Sequence, residues 1–180
     1  MLIEERSKLV NGRKLLVRNA TEADAQTLID YLRRVCGETK YLLKEPEEIN
    51  MTLEQEIAFI KKYNEAEKNL LIMGFVDGEY AGNSSFIQFG PMRCKHRASL
   101  GIALVQEFTG MGLGRFMMET MLDKAKEAGL EQMELEVVAD NERAMRLYKE
   151  MGFEIHGTLV DNMKYQDGTY VDCYWMSRKL

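Results

Sequence analysis

Apolar residues recur along the chain in two periods, and the switches between them predict the elements. Arg13 to Arg18, Arg-Lys-Leu-Leu-Val-Arg, reads as a first strand. Thr21, followed by Glu22 and Asp24, supplies a cap and an acidic first turn for a helix through about Val35, with Leu28, Leu32 and Val35 facing inward. Residues 37 to 51 hold Gly37, Pro46 and scattered charges without a period, which reads as a loop. A second helix follows over about Leu53 to Glu65, its apolar side built from Ile57, Ile60 and Phe59. Leu70 to Val76 and Tyr80 to Phe89 flank Asp77-Gly78, a pair that accepts the positive φ angles of a tight turn, so the segment predicts a hairpin. Ala98 to Val105 is an apolar strand. Leu113, Met117, Met118, Met121, Leu122 and Ala125 then repeat at helical spacing until Gly129. Met133, Leu135 and Val137 alternate with Glu134 and Glu136 as another strand, and Ala144, Leu147, Tyr148 and Met151 form the stripe of a short helix. Phe153 to Val160 and Tyr170 to Met176, joined through Asp167-Gly168, read as a closing hairpin. The predicted order is β-α-α-β-β-β-α-β-α-β-β, without internal repeats or a linker, so residues 1–180 are expected to form one domain.

Composition narrows the function classes. A formal net charge of −5, from 24 basic and 29 acidic residues, disfavours a nucleic-acid binder, which needs a concentrated basic face. Cys36, Cys94 and Cys173 are odd in number and widely spaced, which points away from a disulfide framework or a zinc ribbon and towards a reducing, cytoplasmic setting. With only His96 and His156 present, no metal site is expected. The start, Met-Leu-Ile-Glu-Glu-Arg, lacks the pattern of a secretory leader, and no window approaches the ~20 apolar residues of a membrane helix. No membrane partner is expected.

The most informative stretch runs from Leu104 to Phe153. Gly110, Gly112 and Gly114 stand between an apolar strand and a helix start, where unpaired amides and the helix dipole favour an anion such as a pyrophosphate. A Walker loop is excluded because no Gly-Lys-Ser/Thr follows, and Arg115 stands where Gly-x-Gly-x-x-Gly needs its last glycine. An S-adenosylmethionine-dependent methyltransferase would need several more βα units, yet only 66 residues follow Gly114 and they end in strands. The spacing resembles motif A of the GCN5-related N-acetyltransferases, and Asn141 with Tyr148 resembles that family's motif B.

The resemblance extends over the predicted element order and implies an α/β (α+β) fold: one acetyltransferase-like domain with a central mixed, mostly antiparallel sheet flanked by helices. It also implies acetyl-coenzyme A as co-substrate, its pyrophosphate on the turn of Thr109, Gly110, Met111, Gly112, Leu113, Gly114 and Arg115, and its pantetheine arm along Leu104 and Val105. Thr109 departs from the family's usual Arg or Gln, which leaves more of the anion binding to backbone amides. Two parallel strands, about Ala98 to Val105 and Gln132 to Val138, should splay around the arm. Asn141 and Ala144 would contact the arm, and Tyr148 would protonate the leaving thiolate. Each has a plainer reading: Asn141 is a good helix N-cap, and Tyr148 falls on an apolar stripe.

The general base is left open. A protonated amine, with a pKa of ~10.4 for an alkylamine or ~7.8 for a chain terminus, must lose a proton before attack. Glu38, His96, Glu107, Glu134 and Glu136 are candidates by chemistry, as is a water relay. Glu38, Glu45, Glu47 and Glu48 make the loop after the first helix acidic, which either attracts a cationic acceptor or is a solvated boundary. The closing hairpin resembles that of relatives acting on ribosomal-protein N-termini or polyamines. The expected partner is therefore a small-molecule or peptide amine, and a homodimer is compatible with exposed sheet edges. A coenzyme A-binding module without chemistry is the alternative, with a methyltransferase a more distant one.

Overall fold

Eight strands form one sheet in the order β1-β2-β3-β4-β5-β6-β8-β7 in the computed structural model, which describes residues 1–180. The strands are β1 (Arg6–Val10), β2 (Arg13–Asn19), β3 (Asn69–Val76), β4 (Glu79–Gln88), β5 (Arg97–Leu104), β6 (Gln132–Val138), β7 (Glu154–Lys164) and β8 (Tyr170–Lys179). Four helices flank them: α1 (Ala25–Glu38), α2 (Leu53–Glu65), α3 (Leu113–Glu127) and α4 (Glu142–Glu150). Every neighbouring pair is antiparallel except β5 and β6, as the mixed, mostly antiparallel expectation requires.

Alternation places the core. On β3, Leu70, Ile72 and Val76 join the larger cluster with Leu113, Met117 and Met121 of α3, while Leu71 and Met73 meet Leu28 of α1 and Ile60 and Tyr63 of α2 on the opposite face. The sheet is thus covered on both sides. Gly74 lets α3 approach closely, since a Cβ there would lie 2.6 Å from Met117 Sδ and about as near both Leu113 methyls as packing allows. That contact fixes the helix whose first turn matters below.

Three details differ from the sequence reading. An additional edge strand, β1, pairs with β2 through the Asn11-Gly12 turn, where both residues have positive φ. The first helix begins at Ala25, after a 3-10 turn over Glu22–Asp24 in which Asp24 accepts from the Thr21 amide at 2.8 Å. Phe59 is exposed rather than part of the apolar side of α2, because Glu56, Ile60 and Tyr63 occupy the inward stripe. No helix is long and apolar enough to cross a membrane.

Candidate active site

The parallel strands β5 and β6 pair only over Arg97–Ser99 and Gln132–Glu134. Beyond Ser99 they part, and a cleft of about 1150 Å³ opens between them. β5 stays bonded to β4 on its other side through Leu104, so the edge facing the split has no strand partner. Tyr31 on α1 supports this arm, donating its hydroxyl to the Ala103 carbonyl at 2.7 Å.

At the inner end of the cleft the chain turns into α3. Gly110 and Gly112 adopt φ of 82° and 89°, a left-handed backbone that other residues take up at a cost. None of the amide N–H groups from Gly110 to Arg115 has a protein acceptor; the first to find one is Phe116, on the Gly112 carbonyl at 3.1 Å. Six consecutive unpaired donors therefore lie at the positive end of a 15-residue helix. The Arg115 guanidinium is paired with Glu150. Leu104, Thr109 and Gly114 line the cleft, whereas Val105 and Leu113 are buried and Gly110, Met111 and Gly112 lie on the turn behind it. A side chain at Gly112 would point at Val10, 3.2 Å from its Cγ1, rather than into the cleft.

Helix α4 supplies the opposite wall. Asn141 caps it, its Oδ1 accepting from the Ala144 amide at 3.2 Å, and both residues line the cleft. The cap leaves the Asn141 Nδ2 donors without a protein partner, so the capping and cofactor readings are compatible. Tyr148 is 7% exposed, lines the cleft and stacks at a tilt on Phe153, with ring centroids 6.1 Å apart. Its hydroxyl makes no hydrogen bond within the protein. Burial pushes the phenol up to about 12, so it stays protonated at neutral pH.

The five carboxylate and imidazole candidates separate sharply. His96 precedes the paired stretch of β5, at the closed end of the split, and Glu107 is exposed in an ion pair with Arg34 at 2.6 Å; neither reaches the cleft. Glu38 does line it, but accepts from the Gln106 amide and from Arg34 Nε, each at 2.7 Å. Burial alone would raise its carboxyl; the two donors outweigh that and hold it below the usual glutamate value. Its structural task is to tie α1 to the turn before Gly110. Glu134 is buried and saturated, accepting from Arg97 at 2.6 Å, Gln132 at 2.8 Å and Trp175 at 3.3 Å. Glu136, two residues further along the same face of β6, is exposed to the cleft and has no partner.

The acidic loop does not deliver its charges to the site. Glu45, Glu47 and Glu48 lie on a 3-10 turn outside the cleft, where Glu48 folds back to accept from the Glu45 amide at 2.9 Å. Tyr41, Leu42 and Leu43 of that loop face the cleft instead. Trp175 and Phe89, which the sequence did not single out, add aromatic walls. No cysteine lines the cleft.

The sequence profile of the Acetyltransferase (GNAT) family matches residues 36–153. Over 111 residues the chain is 32% identical to the L-amino acid N-acetyltransferase AaaT of Escherichia coli strain K12, an alignment covering 59% of this chain and 66% of that protein, just under two thirds of its length. Among solved structures, an acetyltransferase of the GNAT family from Streptococcus pneumoniae is 27% identical, with a TM-score of 0.88 over 92% of this chain and 99% of that one. A GNAT superfamily phosphinothricin acetyltransferase from Sinorhizobium meliloti, solved in complex with AcCoA, shares the fold at 17% identity, with a TM-score of 0.79 over 91% of this chain and 87% of that one.

Proposed function

Since the chain belongs to the acetyltransferase (GNAT) family, we propose that it transfers an acetyl group from acetyl-coenzyme A to a cationic primary amine. The observation carrying this reading is the set of six unpaired amides, Gly110 to Arg115, at the end of a strand split that also holds the free hydroxyl of Tyr148. A pyrophosphate suits those amides, and Gly114 lines the cleft beside them without a side chain. The unpaired edge of β5 suits the amides of a pantetheine arm, and Asn141, whose Nδ2 has no protein partner, lines the same split.

Acetyl-coenzyme A supplies an acetyl group activated as a thioester. The protein's share is to hold, orient and move protons. With no cysteine in the cleft, direct attack by the amine is favoured over an acyl-enzyme. Tyr148 holds a proton within the cleft for the departing sulfur; burial makes it a weaker acid than a free phenol, so it acts by hydrogen-bonding the developing thiolate. Glu136 is the best-supported acceptor for the amine's proton, directly or through one water, because it alone among the five candidates both reaches the cleft and lacks a competing donor. β5 amides beyond the paired stretch suit the developing oxyanion.

The amine's charge is read from the lining. Five carboxylates, Glu38, Glu134, Glu136, Asp140 and Glu142, border the cleft against the single cation Arg143. Three are paired with Arg34, Arg97 and Lys40, which leaves Glu136 and Glu142 against Arg143, a negative balance that favours a cation. The test is thiol release from acetyl-coenzyme A across a panel of polyamines, free amino acids, aminoglycosides and N-terminal peptides, with the N-acetyl product identified by mass. Release confined to cationic amines supports the reading. Binding of acetyl-coenzyme A without release for any amine leaves a coenzyme A-binding module instead.

A further inference from the structure

Lys40 lies in the loop that leaves α1 on one side of the cleft, and Asp140 in the turn between β6 and α4 on the other. Their side chains meet at 2.7 Å. Tyr41 reinforces the crossing, its hydroxyl donating to the Asp140 carbonyl at 3.4 Å. A third segment closes in from the β7–β8 hairpin: Lys40 Nζ sits 5.2 Å from the centre of the Tyr165 ring and 5.5 Å from that of Tyr41. The Tyr165 hydroxyl is itself buried at this junction without a protein partner. Residues on both sides of the bridge, Tyr41 and Leu42 on one arm and Asp140 and Asn141 on the other, line the same cleft. The bridge therefore joins the two arms of the split, on the side where β5 and β6 have parted.

We propose that Lys40 and Asp140 form a latch across the acceptor end of the cleft, so that the amine taken is a small cation fitting beneath it, while a peptide N-terminus enters only when the pair parts. This rests on the acetyltransferase reading above. Both partners are about half exposed, at 52% and 49% of their side chains, so the pair is screened by salt and opens without unfolding. In the same cleft the free carboxylate of Glu136 and the rings of Trp175 and Tyr41 suit an ammonium group.

The test compares kcat/KM for a small diamine and for an N-terminal hexapeptide in the wild type, Lys40→Ala, Asp140→Asn and the charge swap Lys40→Asp/Asp140→Lys. Each single variant should raise the peptide-to-diamine ratio by roughly two- to fivefold, the scale of one exposed pair, as should raising salt in the wild type. The swap should restore most of the original ratio, which a merely structural role for either side chain would not do. Hydrogen exchange of residues 39–45 should quicken in the single variants and slow again in the swap. An unchanged ratio and unchanged exchange in Asp140→Asn would overturn the latch. Absence of thiol release with every amine would instead sink the acetyltransferase reading, and exchange alone would then decide whether the latch exists.

Discussion

Gly114→Asp separates folding from cofactor binding more cleanly than any other single change. Gly114 is the second residue of α3, without a positive φ, and a Cβ there meets Leu104 Cδ1 at 3.4 Å and Leu147 Cδ2 at 3.5 Å, ordinary contacts that need no rearrangement. An acidic residue in the first turn favours the helix dipole by roughly 0.3–1 kcal/mol, so the unliganded variant should be at least as stable as the wild type. The same carboxylate faces the cleft beside the free amides. At about 5 Å and an effective dielectric of about 20, its repulsion of one phosphate charge is about 3 kcal/mol, or about 2 kcal/mol after solvent screening, equivalent to a roughly 30- to 150-fold loss of affinity. Acetyl-coenzyme A at about 100 times its wild-type Kd stabilises the fold by about 2.7 kcal/mol; after a hundredfold loss that becomes about 0.4 kcal/mol. For a chain of this size the thermal shift should fall from about 5–11 °C to about 1–2 °C. The assay is thermal unfolding with and without acetyl-coenzyme A, beside a denaturant titration of the free variant. A full thermal shift in a folded Gly114→Asp protein would refute the placement of the anion. Gly112 is a poorer probe, since its φ of 89° and the 3.2 Å approach to Val10 would confound strain with binding.

Tyr148→Phe should lower kcat roughly 10- to 100-fold with little change in the KM for acetyl-coenzyme A, checked by steady-state thiol release; equal effects on both constants would make the ring's packing the cause. Glu136→Gln should lower kcat most at acidic pH, where the amine most needs help in losing its proton, and a pH–rate profile unchanged from wild type would assign the base to water. The Asp24 carboxyl is held at about 2, chiefly by its hydrogen bond to Arg18 and further by Thr21. Because its folded value lies below the ordinary ~3.8, this contribution is fully present above about pH 4 and is lost as pH falls through 2; Asp24→Asn should therefore remove about 2 kcal/mol at pH 7 and almost nothing at pH 2, measured by urea unfolding.

Elements that bury one face were legible because burial leaves a period in the sequence. The Leu113-to-Ala125 stripe of α3 and the alternation of Met133, Leu135 and Val137 are of this kind, and both lie in the main core. β1 was not legible from its period. As an edge strand it has one neighbour, and although its burial alternates, the half-buried face carries Arg6 and Lys8 while Leu9 is exposed, so the sequence shows no apolar period; Asn11-Gly12 was the signal available. The glycine turn and Asn141 with Tyr148 could be read as a site because their spacing is local. The base could not. Glu134 and Glu136 share a strand and a face, and only the approach of Arg97, Gln132 and Trp175 from elsewhere shows that one is saturated and the other free. His96 and Glu107 flank β5 at sequence distances that say nothing of where β5 and β6 part. Lys40 and Asp140 are a hundred residues apart, and their pairing leaves no trace in either neighbourhood.

Backbone amide chemical shifts of the isotopically labelled protein, followed while acetyl-coenzyme A is added, test the proposed site most directly. Saturation should move the six amides from Gly110 to Arg115 most strongly, as phosphate oxygens replace water on donors that no protein group satisfies, with smaller changes at Leu104, Asn141 and Ala144 along the two arms of the split. Shifts concentrated away from the β5–β6 split, or an unmoved Gly110-to-Arg115 segment at saturating ligand, would contradict the assignment of this cleft to acetyl-coenzyme A.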